Sequence, residues 1–169
     1  MNFRDLSKQI ILNVDLSTGE IDQQEVPKED IDNFIGGRGI NAKLLFERVE
    51  KGVDPLGPKN CLIIGTGALT GTSAPCSGRV TVSSKGPVTG LYLKSSTGGH
   101  FGSELKYAGF DYIVVTGTSN QPVYLWIEDG KAEIRSAGHL WGKGTRETDT
   151  LIKEEFGNPD IQTAVIGQA

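Results

Sequence analysis

The chain has 169 residues with 17 Lys and Arg against 21 Asp and Glu, a formal net charge of −4. A net acidic chain with no basic run is a poor electrostatic match to nucleic acid or to an anionic membrane surface. The 23 glycines are about twice the usual ~7% share, but even with the 7 prolines the total stays below the ~25–30% of low-complexity chains. The composition therefore predicts one folded, turn-rich domain over 1–169. No apolar run approaches the ~18 residues of a membrane span. Arg4, Asp5, Lys8 and Asp15 interrupt any signal-peptide core. The two cysteines, Cys61 and Cys76, stand at no metal-ligand or redox spacing, which suits a reducing, cytoplasmic setting.

In chain order, Lys8–Val14 and Glu20–Val26 flank the turn Leu16-Ser17-Thr18-Gly19 and read as a β-hairpin. Pro27 opens a short helix over Lys28–Phe34, with acidic residues in its first turn where the helix dipole favours them. After Gly36-Gly37-Arg38-Gly39, a second helix places Ile40, Leu44, Leu45 and Val49 on one face. Cys61–Ile64 reads as a buried strand. Residues 65–102 then carry nine glycines between the strand-like segments Arg79–Val82 and Leu91–Leu93. Such density points to positive-φ backbone or to backbone approached closely by another group.

Ser103–Ala108 reads as a short helix closed by Gly109, and Tyr112–Val115 as a buried strand. Val123–Ile127 and Ala132–Arg135 flank Asp129-Gly130, a strong hairpin signal. A helix over Thr145–Phe156 and a strand over Thr163–Ile166 follow. The order hairpin, Gly-basic-Gly, helix, strand thus occurs twice, over about 8–67 and 121–167. This predicts an internal duplication whose second copy is cut short, although unrelated segments in the same order would look alike. The expected class is α+β, with two related sheet halves and a few short helices.

Three common chemistries fit poorly. Gly65-Thr-Gly67-Ala-Leu-Thr-Gly71 follows a strand as a dinucleotide fingerprint does, but Ser73, Pro75 and Gly78 occupy the required helix, and no acid stands ~20 residues on. Gly142-Lys143-Gly144 lacks the spacing and the hydroxyl residue of a P-loop. His139 lies beside Leu140 and Trp141 and reads as a packed or surface residue; His100 lacks an acidic orienter. Arg79 is the better candidate, because a permanently charged planar fork suits phosphate or a flat heterocycle. Backbone N–H groups at Gly98 and Gly99 could add an anion cradle. The residues alone leave open a sheet-edge arginine with glycine bulges.

Several segments carry a family resemblance. They are Gly36-Gly37-Arg38-Gly39, Val53-Asp54-Pro55-Leu56-Gly57-Pro58, and Gly67-Ala68-Leu69-Thr70-Gly71-Thr72-Ser73-Ala74-Pro75. Ser77-Gly78-Arg79, Ser96-Thr97-Gly98-Gly99-His100-Phe101-Gly102 and Glu104-Leu105-Lys106-Tyr107-Ala108-Gly109-Phe110-Asp111 complete the series. In order and over nearly the whole chain, this resembles the N-terminal domain of the tungsten-containing aldehyde ferredoxin oxidoreductase family.

The resemblance implies a saddle that holds a bis-pterin tungsten (or molybdenum) cofactor, with no catalytic residue of its own. It also implies pterin contacts at Arg79, Ser96, Thr97, Gly98 and Gly99, and a magnesium at Ser96 bridging the pterin phosphates. This chain has Ser96-Thr97-Gly98-Gly99 where relatives often show Asn-Ser-Gly-Gly. The 4Fe-4S cluster and substrate pocket belong to later domains or a partner subunit, and ferredoxin is the implied electron acceptor. Alone, the chain is expected to be inactive. A non-catalytic pterin-binding scaffold, a split fragment, or a related tungsten enzyme such as an aromatic thioester reductase are the alternatives.

Overall fold

The computed structural model describes residues 8–168. Eight strands run in chain order with four helices: β1 (Ile10–Asp15), β2 (Ile21–Glu25), α1 (Lys28–Phe34), α2 (Arg38–Arg48), β3 (Cys61–Thr66) and β4 (Val80–Lys85). They continue with β5 (Tyr92–Thr97), α3 (Phe101–Tyr107), β6 (Tyr112–Thr116), β7 (Val123–Glu128), β8 (Lys131–Ser136) and α4 (Thr145–Glu155). The class is α+β, as the sequence predicts. β2-β1-β6-β3-β4-β5 form a six-stranded sheet, and β7–β8 a separate two-stranded one. Only the β1–β6 pair is parallel. No helix among the described residues is long and apolar enough to cross a membrane.

The large sheet buries both faces. Alternate residues of a strand point to opposite sides, so Ile11, Ile63, Tyr112 and Val114 meet Ile40, Leu44 and Leu45 of α2 on one face. Leu12, Val14 and Ile113 meet Leu105 and Phe110 on the other, where Leu125, Ile127, Ala132 and Ile134 of the small hairpin also pack. The opposite side of that hairpin, Tyr124 and Trp126, rests on Ile152 and Phe156 of the α4 region. Trp126 stacks on Phe156 with centroids 4.0 Å apart, and the Arg135 guanidinium lies over the Trp126 ring at 4.9 Å. The layers are therefore α1 and α2, the six-stranded sheet, the hairpin with α3, and α4.

The expected hairpin turn Asp129-Gly130 has φ of 44° and 79°, as a two-residue turn matching strand twist requires. Two expectations need correction. Strand β5 runs to Thr97, so Ser96 and Thr97 lie on a strand rather than in the glycine turn. Residues 163–166 pair with no strand among the described residues. Thr163 instead donates from Oγ1 to Asp149 Oδ1 of α4 at 2.7 Å, and Ile161 packs into the α4 cluster. An apolar run becomes a strand only where it pairs with a free edge, and this one is instead tethered to α4 through Thr163, with Ile166 exposed.

Two close approaches set the geometry around α2 and α3. A Cβ on Gly65 would lie 2.1 Å from Asn41 Oδ1 and 2.8 Å from the Tyr112 ring, so only glycine lets α2 sit this low on β3. Lys106 of α3 is buried with Asp111, at 7% and 3% side-chain exposure, with Nζ 3.3 Å from Oδ1. The same ammonium donates to Ala68 O at 3.2 Å, while Asp111 Oδ2 accepts from Ile10 N at 2.8 Å.

Gly65→Ala is expected to destabilise the folded chain by about 1–3 kcal/mol through overpacking, and an unchanged denaturant midpoint would contradict the close approach. Lys106→Met should cost more, about 3–5 kcal/mol, because it strands a buried carboxylate. Chemical denaturation of the two variants checks the ranking, and a loss below about 1 kcal/mol for Lys106→Met would remove the pair from that role.

Candidate functional site at the glycine-rich end of the sheet

Strand directions gather most of the distinctive segments at one end of the large sheet. β2, β3 and β5 finish there, while β1, β4 and β6 begin there. Gly36–Gly39 follows β2 and α1, residues 67–79 link β3 to β4, and residues 98–111 link β5 to β6. Val53–Pro58 lies at the far end and closes the structure there. Lys85 Nζ donates to Val53 O at 2.6 Å, Asn60 Nδ2 to Pro55 O at 2.7 Å, and Gly117 N to Pro58 O at 3.1 Å. That segment is structural.

At the glycine-rich rim the loops support one another. A Cβ on Gly36 would come within 3.2 Å of Ala68 N, and one on Gly37 (φ +50°) within 3.4 Å of Thr66 O. Tyr112, wholly buried, accepts from Gly37 N at 3.1 Å and donates to Gln9 Oε1 at 2.6 Å. Gln9 Nε2 donates in turn to Ile35 O at 2.9 Å. Burial pushes the Tyr112 phenol well above the ordinary tyrosine range, so it stays a protonated donor. Ile35 is held at φ 66°, a conformation that β-branched residues avoid. Loop 67–71 is anchored by Thr70, whose Oγ1 accepts from Gly67 N at 3.1 Å, and by the Lys106 bond to Ala68 O.

The sequence-predicted site residues meet on this rim. Arg79 is exposed, directly before β4. Val80 pairs with Thr97 and Thr81 with Ser96, so one step further sets Arg79 opposite Gly98. Ladder alternation then puts Arg79, Thr81, Ser96 and Gly98 on the α2 face. The Ser96 hydroxyl is wholly buried yet has no hydrogen-bond partner among the described residues, which is uncommon for a buried polar atom. Gly98 and Gly99 (φ +99°) have nothing within 4 Å of a notional Cβ, so their backbone is open to a ligand. A Cβ on Gly78 would fall 2.7 Å from Gly99 O, which locks the two turns together.

Thr97 and His100 are exposed nearby. Thr97 pairs with Val80 and so alternates away from Arg79, toward the α3 face. His139 lies elsewhere, 3.1 Å from Glu155 Oε2. Arg79 has neither an ion pair nor a hydrogen-bonded side-chain partner among the described residues. No three His, Cys, Asp or Glu side chains among those residues converge to hold a metal ion. Cys61 is buried and Cys76 exposed, both free thiols.

A rim offering an uncompensated guanidinium, an orphaned hydroxyl and open glycine backbone is suited to an anionic ligand with many acceptors. Lys106 and Asp111 stand five residues apart in the sequence, and nothing in that spacing marks them as a pair.

The family model described as aldehyde ferredoxin oxidoreductase, N-terminal domain, matches residues 11–169. The tungsten-containing aldehyde ferredoxin oxidoreductase of Thermococcus kodakarensis is 49% identical over 94% of this chain, and that of Pyrococcus furiosus is 46% identical over 94%. The chain spans about a quarter (26%) of the length of each of these curated relatives. Among solved structures, the active-site complex BamBC of benzoyl coenzyme A reductase, in complex with 1,5-dienoyl-CoA, superimposes with a TM-score of 0.92. It is 42% identical and covers 99% of this chain and 25% of its own. By sequence and by fold, the chain belongs to the aldehyde ferredoxin oxidoreductase N-terminal domain family.

Proposed function

We propose that this chain is the cofactor-holding part of a tungsten oxidoreductase that converts an aldehyde and water to a carboxylic acid, two protons and two electrons. Electrons would leave through an iron–sulfur cluster, carried by protein beyond these residues, to ferredoxin. The observation that carries the reading is the buried, partnerless Ser96 hydroxyl on the same face as Arg79. When bound, a bis-pterin tungsten or molybdenum cofactor supplies the oxygen-transfer and redox chemistry. The residues here bind and orient.

Arg79 offers a planar fork to pterin acceptors or phosphate. The Gly98 and Gly99 backbone admits close approach. The Ser96 hydroxyl or carbonyl is the candidate contact for a magnesium between pterin phosphates, a cation that favours oxygen ligands, and Thr97 borders the same turn. The iron–sulfur cluster and the substrate pocket are expected beyond these residues, so residues 1–169 alone should be inactive. We further propose that 121–167 opens a second, duplicated half. A reducing cytoplasm suits the free thiols of Cys61 and Cys76.

A second reading, reduction of an aromatic thioester, is favoured by the fit to the benzoyl coenzyme A reductase complex. Assays of the whole enzyme with both substrate classes separate the two.

Arg79→Ala in the whole enzyme should lower tungsten and pterin content with little change in fold. Charge-assisted hydrogen bonds are worth roughly 1.5–3 kcal/mol each, so retention should fall about tenfold or more per bond lost. Arg79→Lys should restore it only in part. Elemental and pterin analysis reads the result; full occupancy in Arg79→Ala enzyme would contradict the assignment.

A further inference from the structure

Arg38 is the second cation at this rim. It is the first residue of α2, exposed, and makes no ion pair or hydrogen bond through its side chain among the described residues. Three positions on, Asn41 is wholly buried and points into the sheet, donating from Nδ2 to Thr81 O at 3.0 Å and to Ser83 Oγ at 3.2 Å. Residues three apart share a side of a helix. Arg38 therefore stands one turn nearer the rim than Asn41, on the flank of α2 and exposed where Asn41 is buried. Thr81, which Asn41 touches, is the ladder partner of Ser96, and Arg79 precedes it by two residues on the same face.

The loop that delivers Arg38 is tightly determined. Ile35 O and Gly37 N are gripped by the buried Gln9 and Tyr112 side chains, and Gly36 and Gly37 rest on the backbone of Thr66, Gly67 and Ala68. Thr66 pairs with Val80, so one step further sets Gly67, on which Gly37 rests, beside Arg79. The backbone that bears Arg38 thus lies next to the segment that bears Arg79, and neither guanidinium is paired with a carboxylate among the described residues.

We propose that Arg38 and Arg79 form a two-arginine clamp on a phosphate group of the bound cofactor. The inference rests on the cofactor reading above and adds Arg38 to it as a binding residue. The ligand chemistry is a phosphate monoester dianion, which matches two forked cations. In this arrangement Gln9 and Tyr112 are positioning residues that act through the loop.

The test uses the whole enzyme purified with its cofactor. Arg38→Ala, Arg38→Lys, Arg38→Glu and Arg79→Ala are dialysed alongside the unaltered protein, then analysed for tungsten and for pterin fluorescence after oxidation. The clamp predicts about a tenfold loss of retained cofactor in Arg38→Ala, a smaller loss in Arg38→Lys and a larger one in Arg38→Glu. The circular dichroism should stay unchanged. A merely structural role for an exposed side chain would not rank the three variants by charge. Full retention in Arg38→Ala and Arg38→Glu, with loss in Arg79→Ala, would overturn the clamp and leave the cofactor site standing. Full retention in all four variants would overturn the site reading and the clamp with it.

Discussion

Much of the rim depends on one buried ion pair. Lys106 and Asp111 sit on either side of the turn that carries the chain from α3 into β6, and the pair lies almost wholly out of solvent. Such a pair gains its worth from the further hydrogen bonds that satisfy it. Here the carboxylate accepts from Ile10 N at the start of β1, and the ammonium donates to Ala68 O in the loop after β3. One charge pair thus ties three chain segments together at the same sheet end. The 67–71 loop, with few apolar contacts of its own, acquires a fixed height. Gly36 and Gly37 are seated on that loop, so the placement of Arg38 follows from it.

The two ends of the sheet differ in how their polar groups are satisfied. At the far end the polar groups satisfy each other: Asn60 Nδ2 reaches Pro55 O, Ser84 Oγ and Lys85 O, and Lys85 caps Val53 O. At the glycine-rich end the Ser96 hydroxyl is buried without a partner, and Arg38 and Arg79 are unpaired among the described residues, in a chain whose net charge is −4; Asn13 Oδ1 of β1 and Asn41 Oδ1 of α2 are also buried without partners. A buried polar atom without a partner raises the free energy of a fold, and the proposed ligand would supply the partner that the Ser96 hydroxyl lacks.

The sequence made the local features legible. Apolar alternation, Pro27 and Asp129-Gly130 placed the hairpins and helices because each signal acts within a few residues. Glycine density over 65–102 was also a sound guide, since Gly78 and Gly102 permit contacts that a Cβ would block. What was hidden depends on distant partners. Ser96 and Thr97 carry turn-like composition, yet they extend β5 because β4 offers an edge to pair with. Thr163–Ile166 carries strand-like composition and forms none among the described residues; Thr163 bonds Asp149 of α4 instead, and Ile166 is left exposed. The Lys106–Asp111 pair and the side of α2 that presents Arg38 emerge only when the loops are brought to one end.

The glycine-rich end of the sheet, and not the other, is the end proposed to hold the cofactor. Hydrogen–deuterium exchange on the whole enzyme, compared between cofactor-loaded and cofactor-depleted preparations, tests it most directly. Loading should slow exchange at the amides of residues 36–39, 67–79 and 97–102, and leave 53–60 and 86–91 unchanged. Protection confined to the far-end turns, or spread evenly over the domain, would contradict it.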